Sequence, residues 1–219
     1  MTRRTTQLSG YVILAAADTT FAARRMRRVR WLSKPALMPV LAAVAIAEET
    51  SAGAAQTDPL MLAGLGLSWL GDIALLGEGD GRFTVGLGSF LTAHFFYLLA
   101  LRRRHKGVLR RRVWITGSYG LVWLILNAVL WNRTGSLRFP VLLYGTALSG
   151  MALAALDTGS PATAVGGAAF LLSDTILALD NFDVVRVPAA DAIVMASYTA
   201  AQALIVLSQI RTENRHGGP

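Results

Sequence analysis

Eight apolar runs follow one another along this chain, and most of its charge is gathered into the gaps between them. The runs cover residues 8–23, 35–47, 60–76, 85–101, 113–131, 139–156, 161–179 and 188–207. The hydrocarbon core of a bilayer takes about 20 apolar helical residues to cross. Lipid offers the backbone no hydrogen-bond partners, so each crossing must satisfy its own N–H and C=O groups, which a helix does. The reading is therefore an all-α, polytopic transmembrane bundle of about eight spans, with residues 1–219 forming a single integral membrane domain. Composition agrees. The chain is 53% hydrophobic and 16% charged, with mean hydropathy +0.47, whereas a soluble domain carries about a quarter charged residues.

The spans differ in quality. The last four are 18 to 20 residues long. The first contains Asp18, and the second is only 13 residues long before Glu48 and Glu49. Pro35, Pro59, Pro140, Pro161 and Pro188 fall at or near expected helix starts, where a missing N–H costs little. Arg3 and Arg4 ahead of an apolar run, with Thr20-Phe21-Ala22-Ala23 at its end, also resemble a signal peptide. The Arg cluster that follows at once opposes export, so the first segment is expected to be retained.

The net charge of +8 does not mark a nucleic-acid binder. Arg24, Arg25, Arg27, Arg28, Arg30 and Lys34, and the second cluster over residues 102–112, flank apolar runs directly. No aromatic side chains interleave them as a stacking platform would require. Their partners are membrane lipids, and no nucleic acid is expected. With eight crossings the two clusters fall on opposite sides, so charge asymmetry gives no orientation. The location expected is the plasma membrane of a bacterium, and the oligomeric state is not readable from sequence.

Segments three and seven share a pattern. Gly71-Asp72-Ile-Ala-Leu75 and Ser173-Asp174-Thr-Ile-Leu177 each place a small residue, Asp and Leu near the end of a span, 102 residues apart. Four helices per unit is an even number, so the two copies would run parallel, as a 4+4 repeat. Chance likeness between small-residue helices produces the same pattern.

Ionisable groups inside a bilayer are costly and usually face the bundle interior. Asp72, Asp174 and His94 are the best embedded. Gly64, Ser68 and Asp72 repeat every fourth residue and form one small, polar helix face. Phe90, His94 and Tyr97 share a face of the next segment, and Tyr198 and Gln202 lie one turn apart on the last, with Asp191 nearer its entrance. These stripes are expected to converge on one cavity. Lys34 is placed either to snorkel to headgroups or to hold a phosphate. Asp18 and Asn127 have no evident partner.

Several chemistries drop out. The three histidines are His94, His105 in a basic loop and His216 in the tail, and cysteine is absent, so a His- or Cys-based metal site is not expected. No Gly-x-Ser-x-Gly elbow or phosphate-cradling Walker loop occurs. No cofactor is implied. Two carboxyls remain, a set suited to acid–base catalysis.

Lys34-Pro35, Gly71-Asp72, then Phe83, Gly86, Phe90, His94 and Tyr97, then Ser173-Asp174, in this order, resemble the YhhN/TMEM86 lysoplasmalogenase family. The likeness runs from about residue 10 to 208; the Gly-rich, acidic loop over residues 77–82 and the short second segment depart from it. The resemblance implies a membrane hydrolase that cleaves the vinyl-ether bond of lysoplasmalogens, a lysophospholipid substrate. The products would be a fatty aldehyde and glycerophosphoethanolamine or glycerophosphocholine. It implies that Asp72 and Asp174 form the catalytic centre. The residues themselves place Lys34, His94, Tyr97, Tyr198 and Gln202 as the expected substrate-binding set, with His94 or Tyr198 orienting a carboxyl and Lys34 on the substrate phosphate. Packing between helices is the other role for Tyr97, Tyr198 and Gln202. The rival expectation is a proton-coupled transporter of a small molecule or lipid, because paired intramembrane aspartates also serve proton coupling.

Overall fold

The computed structural model describes residues 3–52 and 57–213; His216 lies outside them. Helices α1 (Arg3–Ala23), α2 (Arg27–Ala52), α3 (Pro59–Ala74) and α4 (Asp80–Arg102) come first. After the single turn α5 (Val108–Arg111) follow α6 (Val113–Trp131), α7 (Arg138–Asp157), α8 (Pro161–Asn181) and α9 (Ala190–Glu213). No strand occurs among the described residues. The chain is a polytopic all-α membrane bundle. Six helices (α2, α4, α6, α7, α8 and α9) are long and apolar enough to cross a bilayer, and α3 is a shorter apolar helix of 16 residues. The eight expected segments fall on α1–α4 and α6–α9, of which α1 and α3 are not among those six.

The second segment differs from expectation in one respect. It is no short run opened by Pro35 but a helix of 26 residues in which Pro35 and Pro39 are both internal. Proline at position 39 has no N–H, so the carbonyl four residues earlier, that of Pro35, loses its helical donor. The indole Nε1 of Trp69 on α3 donates to that carbonyl at 2.8 Å. The vacancy created inside α2 is thus filled from α3, and the two helices are tied together where the chemistry-bearing end of α2 begins.

Helices α3 and α8 begin alike. Asp58 caps α3 by accepting from the Leu60 N–H, Ser160 caps α8 by accepting from the Thr163 N–H, and a proline follows each cap. From Pro59 to Asp72 and from Pro161 to Asp174 the spacing is the same, so the capped start sets both carboxyls at equal height on their helices. Each helix pairs most extensively with its successor, α3 with α4 and α8 with α9. Small residues allow this. A Cβ at Gly64 would lie 2.5 Å from the Tyr97 ring, one at Gly71 would lie 2.6 Å from the Phe90 ring, and one at Gly166 would lie 2.9 Å from Ile205. Close approach of this kind drives helix association in lipid, where apolar burial alone does not distinguish a neighbouring helix from a lipid tail.

The buried centre contains Leu37, Met38, Leu41, Leu65, Tyr97, Met151, Phe170 and Ile205. Helix α6 stands apart: it packs chiefly on α7 and leaves Trp114, Leu121, Leu124 and Ile125 exposed, the surface a lipid-facing helix requires.

Candidate active site

Asp72 is buried on α3, with its two oxygens turned to different partners. Lys34 Nζ of α2 stands 3.2 Å from Oδ1, and the Tyr198 hydroxyl of α9 donates to Oδ2 at 2.7 Å. A carboxylate out of water is tolerable when a cation and a hydrogen-bond donor both meet it, as they do here. Asp174 on α8 has a different shell. The Tyr144 hydroxyl of α7 donates to its Oδ2 at 2.5 Å, and His94 Nε2 of α4 lies 3.9 Å from the same oxygen, beyond hydrogen-bond length. Neither ring nitrogen of His94 has a hydrogen-bond partner among the described residues. Its ring packs edge-on against Tyr144 and Phe170, with centroids 5.2 and 4.7 Å away. Phe170 also packs edge-on against Tyr198, so an aromatic cluster links the two carboxyl shells.

The two halves of the chain serve each other's aspartate. Tyr198 on α9, in the second half, reaches Asp72 in the first, while His94 on α4, in the first half, approaches Asp174 in the second. The remaining contacts come from the helix before each motif, Lys34 from α2 and Tyr144 from α7.

Asp72 and Asp174 open into the same cavity of about 540 Å³, whose wall also includes Arg30, Lys34, Tyr144, Ser173, Asp191 and Tyr198. Beside it runs a slender apolar groove of about 80 Å³ between α4, α6, α7 and α8, lined by Leu87, Trp123, Leu126, Leu130 and Leu148 among others. Asp174, Tyr144, Phe83 and Phe90 belong to both walls. A polar chamber and an apolar slot therefore meet at Asp174.

The other candidate residues lie as follows. Tyr97 donates to Gln202 Oε1 at 2.8 Å, and its hydroxyl is 3.5 Å from Ser68 Oγ. This fully buried cluster joins α3, α4 and α9 and is not part of the cavity wall. Lys34 is 8% exposed and faces Asp72. Asp18, unpartnered in the sequence reading, accepts from Ser33 Oγ at 2.5 Å and has Arg30 at 3.6 Å. Asn127 donates to the Trp123 carbonyl of its own helix and lines the apolar groove. Tyr144 was not singled out from sequence. Its only signal there is a phenol in mid-span, which has a polar tip to satisfy wherever it is buried. Among the described residues no cluster of three or more His, Asp or Glu side chains is placed to hold a metal.

Residues 29–209 match the YhhN family. The chain belongs to that family. It is similar to the lysoplasmalogenase TMEM86B of Homo sapiens, 33% identical over 155 residues that make up 70% of this chain and 64% of that protein. It is likewise similar to the lysoplasmalogenase TMEM86A of Bos taurus, 30% identical over 164 residues, 68% of this chain and 64% of that one. A lysoplasmalogenase of Mycobacterium bovis is 33% identical over 133 residues, 56% of this chain and 49% of that protein. The chain thus spans about 64% of the length of the first two relatives. No solved structure matches it.

Proposed function

We propose that this YhhN-family protein is a membrane-embedded hydrolase that cleaves the vinyl-ether bond of lysoplasmalogens. The observation that carries the reading is the meeting of a polar chamber and an apolar slot at a carboxyl, with a second, cation-paired carboxyl on the same chamber wall. An amphiphile with one chain matches that shape: headgroup and glycerol in the chamber, chain start in the slot, and the bond between them beside Asp174. The relatives named as lysoplasmalogenases support the same substrate class.

Vinyl-ether hydrolysis needs a proton at the β-carbon and a negative charge beside the oxocarbenium ion that results. Two carboxyls divide such work in glycosidases. Asp174 has no Lys or Arg ion pair among the described residues and borders the apolar slot, which makes it the proton donor to the alkenyl β-carbon. Asp72, beside the Lys34 ammonium, serves as the carboxylate. It faces the cationic carbon and takes a proton from the water that adds there. The hemiacetal then collapses: its hydroxyl proton returns to Asp174, the C–O bond to glycerol breaks, and Asp72 gives its proton to the departing glycerol oxygen. The sum is one water consumed, one aldehyde and one alcohol formed, and both carboxyls restored.

Lys34 and Tyr198 are positioning residues in this scheme, fixing the two oxygens of Asp72, and Tyr144 fixes Asp174, with the His94 ring packed beside that phenol. Tyr97 and Gln202 act further back, by holding α4 and α9 at the separation the cavity requires. The test is aldehyde release from lysoplasmalogen by the purified protein in detergent, with Asp72→Asn and Asp174→Asn alongside. The wild type is expected to release aldehyde and both variants to lose most of that rate. A silent wild type, or two variants at full rate, would reject the reading, and the proton-coupled transporter then becomes the reading to test.

A further inference from the structure

The chamber that holds Asp72 and Asp174 continues past Arg30 and Asp191 into an adjoining pocket of about 340 Å³, lined also by Arg25 and Arg27. Not all of the charge at this opening is paired, and Arg25 is exposed with no ion pair among the described residues. Lys34 faces Asp72, and Arg27 is bonded to Glu78. Among the described residues the Arg30 guanidinium has only the long contact to Asp18, at 3.6 Å, and its Nε is buried with no hydrogen-bond partner. Asp191 is exposed and makes no ion pair among the described residues.

We infer that this opening is a recognition site for a zwitterionic phospholipid headgroup, with Arg30 on the phosphate and Asp191 on the ammonium. The inference rests on the activity proposed above only in taking the headgroup and the vinyl ether to belong to one molecule. Arg30 suits the phosphate because a guanidinium presents donors in a fixed fork that matches two phosphate oxygens. Asp18 is itself fixed by Ser33. It holds the guanidinium from behind without satisfying it. Asp191 opposes a second negative charge at the same opening, so an unsubstituted phosphate is disfavoured, while an ammonium carried on the phosphate supplies the missing counter-charge. A cation without phosphate would leave Arg30 unmet. Only a ligand carrying both signs satisfies both residues.

Binding of uncleavable ligands tests this apart from catalysis. The full chain in detergent is titrated calorimetrically with an alkyl-ether lysophosphatidylethanolamine, the corresponding alkyl glycerophosphate, the corresponding alkylglycerol, and chain-free phosphoethanolamine. All have a saturated ether or none, so no turnover interferes. The wild type is expected to favour the zwitterion over the alkyl glycerophosphate by about threefold, the worth of one partly exposed ion pair. It should favour either phosphate ligand over alkylglycerol by about tenfold, as a charge-assisted bond implies. In Asp191→Asn the first ratio should fall to about one. In Arg30→Gln the second should collapse, and if that variant fails to fold, Arg30→Lys, which keeps the charge and loses the fork, should reduce it instead.

An unchanged first ratio in Asp191→Asn, or equal binding of all lipids by the wild type, would overturn the inference. Phosphoethanolamine binding as tightly as the lipid would assign the site to a free metabolite and overturn it too. Aldehyde release with no headgroup selectivity defeats this inference alone. Selective binding without aldehyde release defeats the proposed activity alone.

Discussion

The Tyr198 hydroxyl reaches from α9 to α3 and donates to Asp72 at 2.7 Å, joining residues 126 positions apart. Helices α3 and α9 are thereby joined by one bond at the residue proposed as the catalytic carboxylate. Asp72 also has the Lys34 ammonium beside it, whereas Asp174 has no Lys or Arg ion pair among the described residues, and this asymmetry between two otherwise matched motifs separates their proposed roles.

Replacing Tyr198 by Phe removes only that hydroxyl. A hydrogen bond to a charged group contributes about 1.5–3 kcal/mol, so aldehyde release should fall by roughly ten- to a hundredfold. The drop should lie in kcat rather than KM, because the phenol orients the carboxylate and does not hold substrate. Equal loss in both constants would count against the positioning role.

Lys34→Met should leave Asp72 buried without its cation. Breaking a buried pair from one side costs about 3–5 kcal/mol, read as a clear fall in the thermal unfolding midpoint in detergent. Adding Asp72→Asn to Lys34→Met should restore most of that midpoint while leaving the protein inactive. A double variant no more stable than Lys34→Met would show that the two side chains are not energetically coupled.

Trp69→Phe should destabilise the bundle by about 1–3 kcal/mol, the cost of a buried acceptor left unmet. Pro39→Ala supplies α2 with the N–H it lacks, aimed at the same Pro35 carbonyl. The pair of substitutions should therefore be more stable than Trp69→Phe alone. Additive losses on unfolding would reject this account of the α2–α3 staple.

Gly64→Ala puts a methyl against the Tyr97 ring, 2.5 Å away, and overpacking of this kind costs about 1–3 kcal/mol. Gly66→Ala, where a Cβ meets nothing within 4 Å, is the matched control and should be neutral or slightly stabilising as helix propensity improves. The comparison is one of unfolding midpoints. Equal effects at both positions would mean that α3 and α4 do not approach as described.

The class of the protein and the position of most helices were legible in the chain because lipid imposes one simple rule: apolar runs of spanning length, with charge at their ends. The aspartates were legible for the same reason, since Asp72 and Asp174 violate that rule. Asp18 violates it as well, yet its partners Ser33 and Arg30 lie on the next helix, and no periodicity within α1 points to them. Pro35 misled locally. A proline at a helix start and a proline inside a helix read alike in sequence, and the donor from α3 that meets the Pro35 carbonyl in place of the N–H missing at Pro39 lies outside the segment.

The sequence by itself determined that this chain enters a membrane as a set of helices, and that two of them carry the same capped start and the same carboxyl at the same height. Those are local properties, fixed by hydropathy, by the Asp58-Pro59 and Ser160-Pro161 caps, and by helical rise. Only the tertiary structure decided which side chains the carboxyls meet. Lys34 and Tyr198 come to Asp72, Tyr144 and His94 to Asp174, from helices whose mutual placement depends on close packing at Gly64, Gly71 and Gly166. A small-residue face such as Gly64-Ser68-Asp72 is visible within one segment, but which helix it admits is not, because that is a property of surfaces that fit one another.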